Sequence, residues 1–152
     1  MGIQRVFSQK KVNSTLNIIQ ALRETGWKEV KTMALLAQLV DDVVVHKFEI
    51  EHESMTIGRH PKNHIVVDDG AVSGEHAVIR FVPNSDFPQY YEFYLEDLNS
   101  TNGTFINDSR LSGKVRLHNN DIVRVAYNKF KFIDDKEADL AKTVHMLQQS
   151  RF

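Results

Sequence analysis

Apolar and polar positions change their period twice along the chain. Val12, Leu16 and Ile19 stand at i, i+4, i+7, with Ile18 and Leu22 widening the stripe. That spacing predicts an amphipathic helix, capped by Asn13 or Ser14 and ended by Gly26. From Met33 the period drops towards two. Leu35, Leu36, Leu39 and Val40 form a short run that stops at Asp41-Asp42, a hairpin turn. Val44, His46, Phe48 and Ile50 then alternate with Val45, Lys47, Glu49 and Glu51, which predicts a half-buried strand. Further short strands follow at Met55 to Ile57, Ile65 to Val67, His76 to Val82 and Tyr91 to Leu95. Thr104 to Ile106, Val115 to Leu117, Ile122 to Val125 and Phe130 to Ile133 complete the set. Turn residues separate the later ones: Asn107-Asp108, Asn119-Asn120-Asp121 and Asn128-Lys129. After Asp134 or Asp135, either able to cap, Leu140, Val144 and Leu147 restore the helical period.

Many short strands with regular turns, and no helical segment between them, predict an all-β fold: a two-sheet antiparallel β-sandwich. Short amphipathic helices are expected at both termini. The expected organisation is an N-terminal extension over 1–32, a β domain over 33–134 and a helical tail over 135–152.

Composition narrows the chemistry. The chain has 152 residues, 19 Lys plus Arg against 20 Asp plus Glu, and no cysteine. Disulfides, thiolate metal sites and cysteine nucleophiles are excluded, and a cytoplasmic location is expected. No basic excess marks a nucleic-acid binder, and no long apolar run marks a membrane span. The first 32 residues are basic, with Arg5, Lys10, Lys11 and Arg23 before the first acid, Glu24. That is faintly like a transit peptide. An appended helix, or an extension upstream of a second start at Met33, is the plainer reading. Gly2 fails the myristoylation pattern because Val6 stands where Ser or Thr is needed.

One stretch carries candidate chemistry. Thr56-Ile57-Gly58-Arg59, Asn63-His64-Ile65, Val72-Ser73-Gly74-Glu75-His76-Ala77 and Leu95 to Asn107 place one arginine, several hydroxyls and an asparagine in loops between strands. Such an inventory suits an oxyanion that is held, not transformed. The four pieces, with Ser100-Thr101-Asn102-Gly103-Thr104 the most specific, resemble the forkhead-associated (FHA) domain, a reader of phosphothreonine. The resemblance runs from Met33 to about Asp134. It implies a sandwich of about eleven strands with binding loops at one end.

A phosphothreonine carries a charge of about −1.5 to −2 and strong acceptor oxygens. The resemblance implies that Arg59 is the main phosphate ligand, since its guanidinium offers a planar, always-charged fork of donors. It implies that Ser73 touches the phosphate and that Thr101 presents its hydroxyl to phosphate or peptide. Asn102 would bridge the peptide backbone. Gly74 stands where the family often has Arg, Asn or Lys, so only its backbone N–H contributes, and Glu75 brings an acid near the pocket. Gly58, Asn63, His76 and Gly103 would support the loops, His76 as a structural histidine. Asn102-Gly103 reads equally as a hairpin turn, and a turn can also present a side chain. His60, Lys62 and His64 add positive field or lie solvated. Asp108, Asn120 and Ala126 stand where the family commonly has glycine.

Catalysis finds no support. His60 and His64 have zinc spacing only on a helix, which Pro61 opposes. There is no His-Glu-x-x-His, Gly-x-Ser-x-Gly or phosphate-loop lysine motif. No metal and no cofactor are expected. The expected partner is a Thr-phosphorylated protein or peptide made by a Ser/Thr protein kinase, with no nucleic acid and no membrane. The rival reading is an FHA-shaped scaffold or oligomerisation protein with lost or weakened phosphopeptide binding. Thr143 in the tail, and Thr15, Thr25 and Thr32, are candidates for a self-derived ligand. The terminal helices are candidates for a homodimer contact.

Overall fold

The computed structural model describes residues 34–150. The expected N-terminal helix lies outside the described residues. Eleven strands run in chain order: β1 (Ala34–Val40), β2 (Val43–Glu49), β3 (Ser54–Gly58), β4 (Ile65–Val66), β5 (Ala77–Pro83), β6 (Tyr91–Asp97), β7 (Thr104–Ile106), β8 (Ser109–Arg110), β9 (Lys114–Leu117), β10 (Ile122–Val125) and β11 (Asn128–Asp134). One helix, α1 (Asp135–Gln149), follows. They form a six-stranded sheet, β2-β1-β11-β10-β7-β8, and a five-stranded sheet, β4-β3-β5-β6-β9.

The period-two pattern explains which side chains meet between the sheets. Leu36, Val123, Phe130 and Phe132 from the larger sheet are fully buried, as are Ile57, Ile79 and Leu95 from the smaller. Phe93 and Phe132 join the two sheets with ring centroids 5.2 Å apart. Asp41-Asp42 is the expected two-residue hairpin turn, with φ of 51° and 63°.

Three expectations need correction. The sandwich is not wholly antiparallel: β3 and β4 pair in parallel through Ile57↔Ile65 and Gly58↔Val66. Buried Ile65 and the bond from Val67 N–H to Gly58 O (2.9 Å) hold that short pair. Second, β2 is not evenly half-buried. A bulge between Gln38 and Leu39 pairs His46 with Gln38 but Val44 with Leu39, so Val44 and His46 face opposite ways. Val43, Val44 and Val45 are exposed, while Ile50 is fully buried. Third, Asn128 and Lys129 begin β11 and do not form a turn; the turn is Ala126-Tyr127, with Ala126 at φ 53°. The short strand β8 has no apolar pattern to announce it.

Asp134, rather than Asp135, caps α1, accepting from the N–H groups of Lys136 (3.1 Å) and Glu137 (3.3 Å). Its burial pushes the carboxyl above the usual carboxylate range, against the lowering effect of those two bonds. No residue of α1 is buried, and Leu140, Val144 and Leu147 are exposed. No described helix is long and apolar enough to cross a membrane.

Candidate functional site

Three loops meet at one end of the sandwich: 59–64 after β3, 67–76 between β4 and β5, and 98–103 between β6 and β7. Backbone bonds join the first two. Arg59 N–H donates to Ser73 O (3.0 Å) and His60 N–H to Gly74 O (3.2 Å). Gly58 permits this approach, because a Cβ there would overlap the Gly74 carbonyl oxygen and lie 2.7 Å from Asn63 Nδ2. Asn63, buried among them, donates from Nδ2 to His60 O (2.8 Å) and Gly74 O (2.6 Å). Gly58 and Asn63 thus lie where these two loops meet.

The second and third loops are tied by side chains. Thr101 N–H donates to Ser73 Oγ (3.1 Å), and Asn102 Nδ2 to Ala71 O (2.7 Å). His76 is fully buried beneath both loops. Its Nδ1 accepts from Ser73 N–H (3.0 Å), and its Nε2 lies 2.9 Å from Gly103 O. A backbone N–H only donates and a carbonyl only accepts. Nδ1 is therefore the acceptor and Nε2 the donor, and the ring acts as a strut. Gly103 has φ 83°, and a Cβ there would sit 3.0 Å from Arg110 Nε.

Asp97, which the sequence reading left without a role, organises the third loop. Its carboxylate accepts from Ser100 N–H (3.0 Å), Ser100 Oγ (2.5 Å) and Thr104 Oγ1 (2.7 Å). Ser100 Oγ in turn accepts from Gly103 N–H (2.9 Å). Partial burial works to raise this carboxyl, but the hydrogen bonds outweigh it and hold it below the usual range. Asp69 is a second missed support. It accepts from Ala71 N–H (2.9 Å) and Asn128 Nδ2 (2.8 Å), joining the second loop to β11; these bonds lower its pKa. Its signal was an Asx turn at Asp69-Gly70-Ala71. The partner, Asn128, is 59 residues away.

The structure therefore brings Arg59, Ser73, Gly74, Thr101 and Asn102 to one end. The Arg59 guanidinium is exposed, with no ion pair or side-chain hydrogen bond among the described residues. Ser73 Oγ accepts from Thr101, which leaves its proton to donate outward. Space around Gly74 is open, the nearest atom to a Cβ there being His60 Cβ at 4.0 Å. Glu75 is paired with Lys62, which donates to its carboxylate and lowers its pKa. Its charge is thereby largely offset, and so is the positive field expected from Lys62. His64 turns back to β3, its Nδ1 accepting from Thr56 N–H (3.1 Å) and its ring lying 5.1 Å from that of His52. Among the described residues no cluster of His, Asp or Glu has metal-binding geometry.

Glycogen accumulation regulator GarA of Mycolicibacterium smegmatis is 30% identical over 93 residues, covering 61% of this chain and 54% of that protein. The oxoglutarate dehydrogenase inhibitor of Corynebacterium diphtheriae is 32% identical over 92 residues, covering 60% and 59%. The chain thus spans a little over half the length of these relatives. A solved chain from a study of phosphothreonine-dependent FHA domain interactions aligns with a TM-score of 0.56 and 26% identity, over 66% of this chain and 94% of that one. A family model described as the FHA domain matches residues 55–126. Those residues hold Gly58, Arg59, Ser73, His76 and the Thr101–Gly103 loop, and over that stretch the chain matches the FHA domain.

Proposed function

We propose that this chain is a phosphothreonine-dependent peptide-binding module in Ser/Thr kinase signalling, with no catalysis of its own. The observation that carries the reading is the division of labour in the loops. Their backbone groups are largely bonded to one another, while the Arg59 guanidinium and the Ser73 hydroxyl proton are left over at one rim. Donors fixed in advance lose little freedom when an anion arrives, and charge-assisted bonds to phosphate are the strong kind. Arg59 and Ser73 take the phosphate, with the Gly74 N–H beside them. Thr101 faces phosphate or peptide. Asn102 gives one N–H to Ala71 O and offers Oδ1 to a peptide N–H. The binding unit is 33–134, with 1–32 and 135–152 appended. GarA and the oxoglutarate dehydrogenase inhibitor are a regulator and an inhibitor by name, which supports binding that controls a partner.

The test is a degenerate phosphothreonine peptide library beside its Thr and phosphoserine versions. Binding should require the phosphate and prefer phosphothreonine. Arg59→Ala should weaken it by about tenfold to a hundredfold, the worth of a hydrogen bond to a charged group. A folded protein that ignores phosphorylation at high peptide concentration refutes the reading.

Thr143 as a self-derived ligand meets a constraint. Its Oγ1 donates to Asp139 O (3.0 Å) within α1, and α1 starts at the end of β11 remote from the loops. The helix would have to unwind first, which favours delivery to a neighbouring molecule. Thr15, Thr25 and Thr32 lie outside the described residues. The bare stripe Leu140, Val144 and Leu147 favours a second reading, oligomerisation through α1. Sedimentation velocity at micromolar concentration, with Leu147→Glu as control, decides that reading: a monomer at all concentrations removes it.

A further inference from the structure

The two outer faces of the sandwich handle charge differently. On the five-stranded sheet the cations have partners: Arg80 meets Glu96 at 2.5 Å, Arg116 meets Glu92 at 3.4 Å, and Lys114 lies over the Tyr94 ring. On the six-stranded sheet the register lines up another set. Val44, Leu39, Lys129, Arg124, Phe105 and Arg110 are successive cross-strand partners from β2 to β8. Direct partners project from the same side of a sheet. Their immediate neighbours Val123 and Phe130 fill the core, so this row faces outward. The Arg124 guanidinium lies 3.8 Å from the Phe105 ring centroid on that side. The next outward row is Lys47, Ala37, Lys131 and Ile122.

This face carries five cations, Lys47, Arg110, Arg124, Lys129 and Lys131, against one carboxylate, Glu49, opposite Leu35 in the row farthest from the loops. Asp41 and Asp42 lie in the hairpin turn past the Val44 end. None of the five makes an ion pair with a carboxylate among the described residues. Half-buried Leu35, Leu39, Ile122 and Ile133 lie between them. The face also adjoins the loops, because the Arg110 guanidinium lies against Gly103 and Ala126 N–H donates to Gly103 O (3.2 Å).

We propose that this face docks an acidic, partly apolar segment of the same partner whose phosphothreonine enters the loops. The proposal rests on the phosphothreonine reading above. Carboxylates answer these cations, which lack acidic partners, although Arg124 stacks on Phe105 and donates to Ala126 O (2.8 Å), and apolar side chains cover the leucines and isoleucines between them. A nucleic-acid backbone would leave those aliphatics uncovered, and the chain's net charge of −1 does not steer polyanions. Continuity with Gly103 makes one partner, held at two adjoining places, the economical arrangement. Linking the two contacts raises affinity through effective concentration.

The test uses the full chain and short phosphothreonine peptides, with and without an extension of Glu, Asp and Leu at either end. At low salt the acidic extension should tighten binding by about tenfold, as several exposed pairs would together. The gain should fade as salt shortens the screening length. Lys129→Glu with Lys131→Glu should remove the gain while leaving the short peptide's affinity and the melting temperature unchanged. Equal affinity for short and extended peptides overturns the proposal, as does a gain that survives the double variant. An unphosphorylated Glu/Asp/Leu peptide, followed by amide chemical shifts, separates the two readings. Shifts at Arg124, Lys129 and Lys131 support the face even if the phosphopeptide fails; shifts elsewhere only refute it. Duplex DNA or anionic vesicles binding through Lys129 and Lys131 more tightly than the acidic peptide also refute it.

Discussion

At the loop end of the sandwich, buried His76 and the carboxylate of Asp97 hold backbone, and through them Ser73, Thr101 and Gly103. At the other end, polar side chains hold one another. Glu92 accepts from Asn84 Nδ2 (2.6 Å) and the Tyr94 hydroxyl (2.6 Å), and Arg116 lies 3.4 Å away. Glu137 accepts from Asn119 N–H (2.5 Å) and faces His118. A cavity of about 100 Å³ there is lined by Phe87, Tyr90, Tyr91 and Leu140 among others. The contrast teaches that hydrogen-bond number does not distinguish the two ends. What distinguishes them is which groups are left over: a guanidinium and a hydroxyl proton at one end, and charges already satisfied at the other.

The comparison breaks most sharply at Gly58. Gly58→Ala drives a methyl into the Gly74 carbonyl, a collision between rigid parts. Thermal or urea unfolding should show a loss of about 2–3 kcal/mol, and phosphopeptide affinity should fall with it. Asp97→Ala comes next, removing an acceptor from Ser100 and Thr104 for about 2 kcal/mol. Its pH signature has a definite sign. The folded pKa is lowered, so the contribution is complete above the unfolded value of about 3.9 and fades as pH falls through the folded value. Asp97→Asn should flatten the stability-against-pH curve below about pH 4, measured by denaturation at stepped pH.

At the far end, Glu92→Gln should cost about 1 kcal/mol, the scale of a partly exposed ion pair and a weakened hydrogen bond. Phosphopeptide affinity should be untouched, and calorimetric titration showing a parallel loss would abolish the distinction between the ends. The smallest effect is at Asp108, in the β7–β8 turn with φ 67°. Asp108→Val should lower stability by about 1 kcal/mol, and Asp108→Gly should change it by less than about half that, read from paired unfolding curves.

Sequence reading worked wherever a residue's role is local. Period two located strands whose one face is buried, as in Phe93 and Leu95 of β6. Turn chemistry gave Asp41-Asp42 and Asn107-Asp108, all with positive φ. It failed at β2, where one extra residue of β2 itself, Val45, lies between the pairs His46↔Gln38 and Val44↔Leu39 and puts Val44 and His46 on opposite faces. It also failed at Ala126, whose turn is fixed by a bond to Gly103 and not by any turn-forming residue of its own.

What the sequence alone determined is the β-rich pattern, the absence of cysteine chemistry, and an ordered set of loop residues rich in hydrogen-bond donors. Each of these lies within a few residues of chain. Only the tertiary structure decided that Asp97 and Asp69 hold the loops, that Lys62 neutralises Glu75, and that His64 faces away. It alone aligned Lys129, Arg124 and Arg110 from three strands into one row without carboxylate partners among the described residues. Hydrogen bonds and cross-strand register join residues far apart in the chain, and their energy depends on distances that no local pattern encodes.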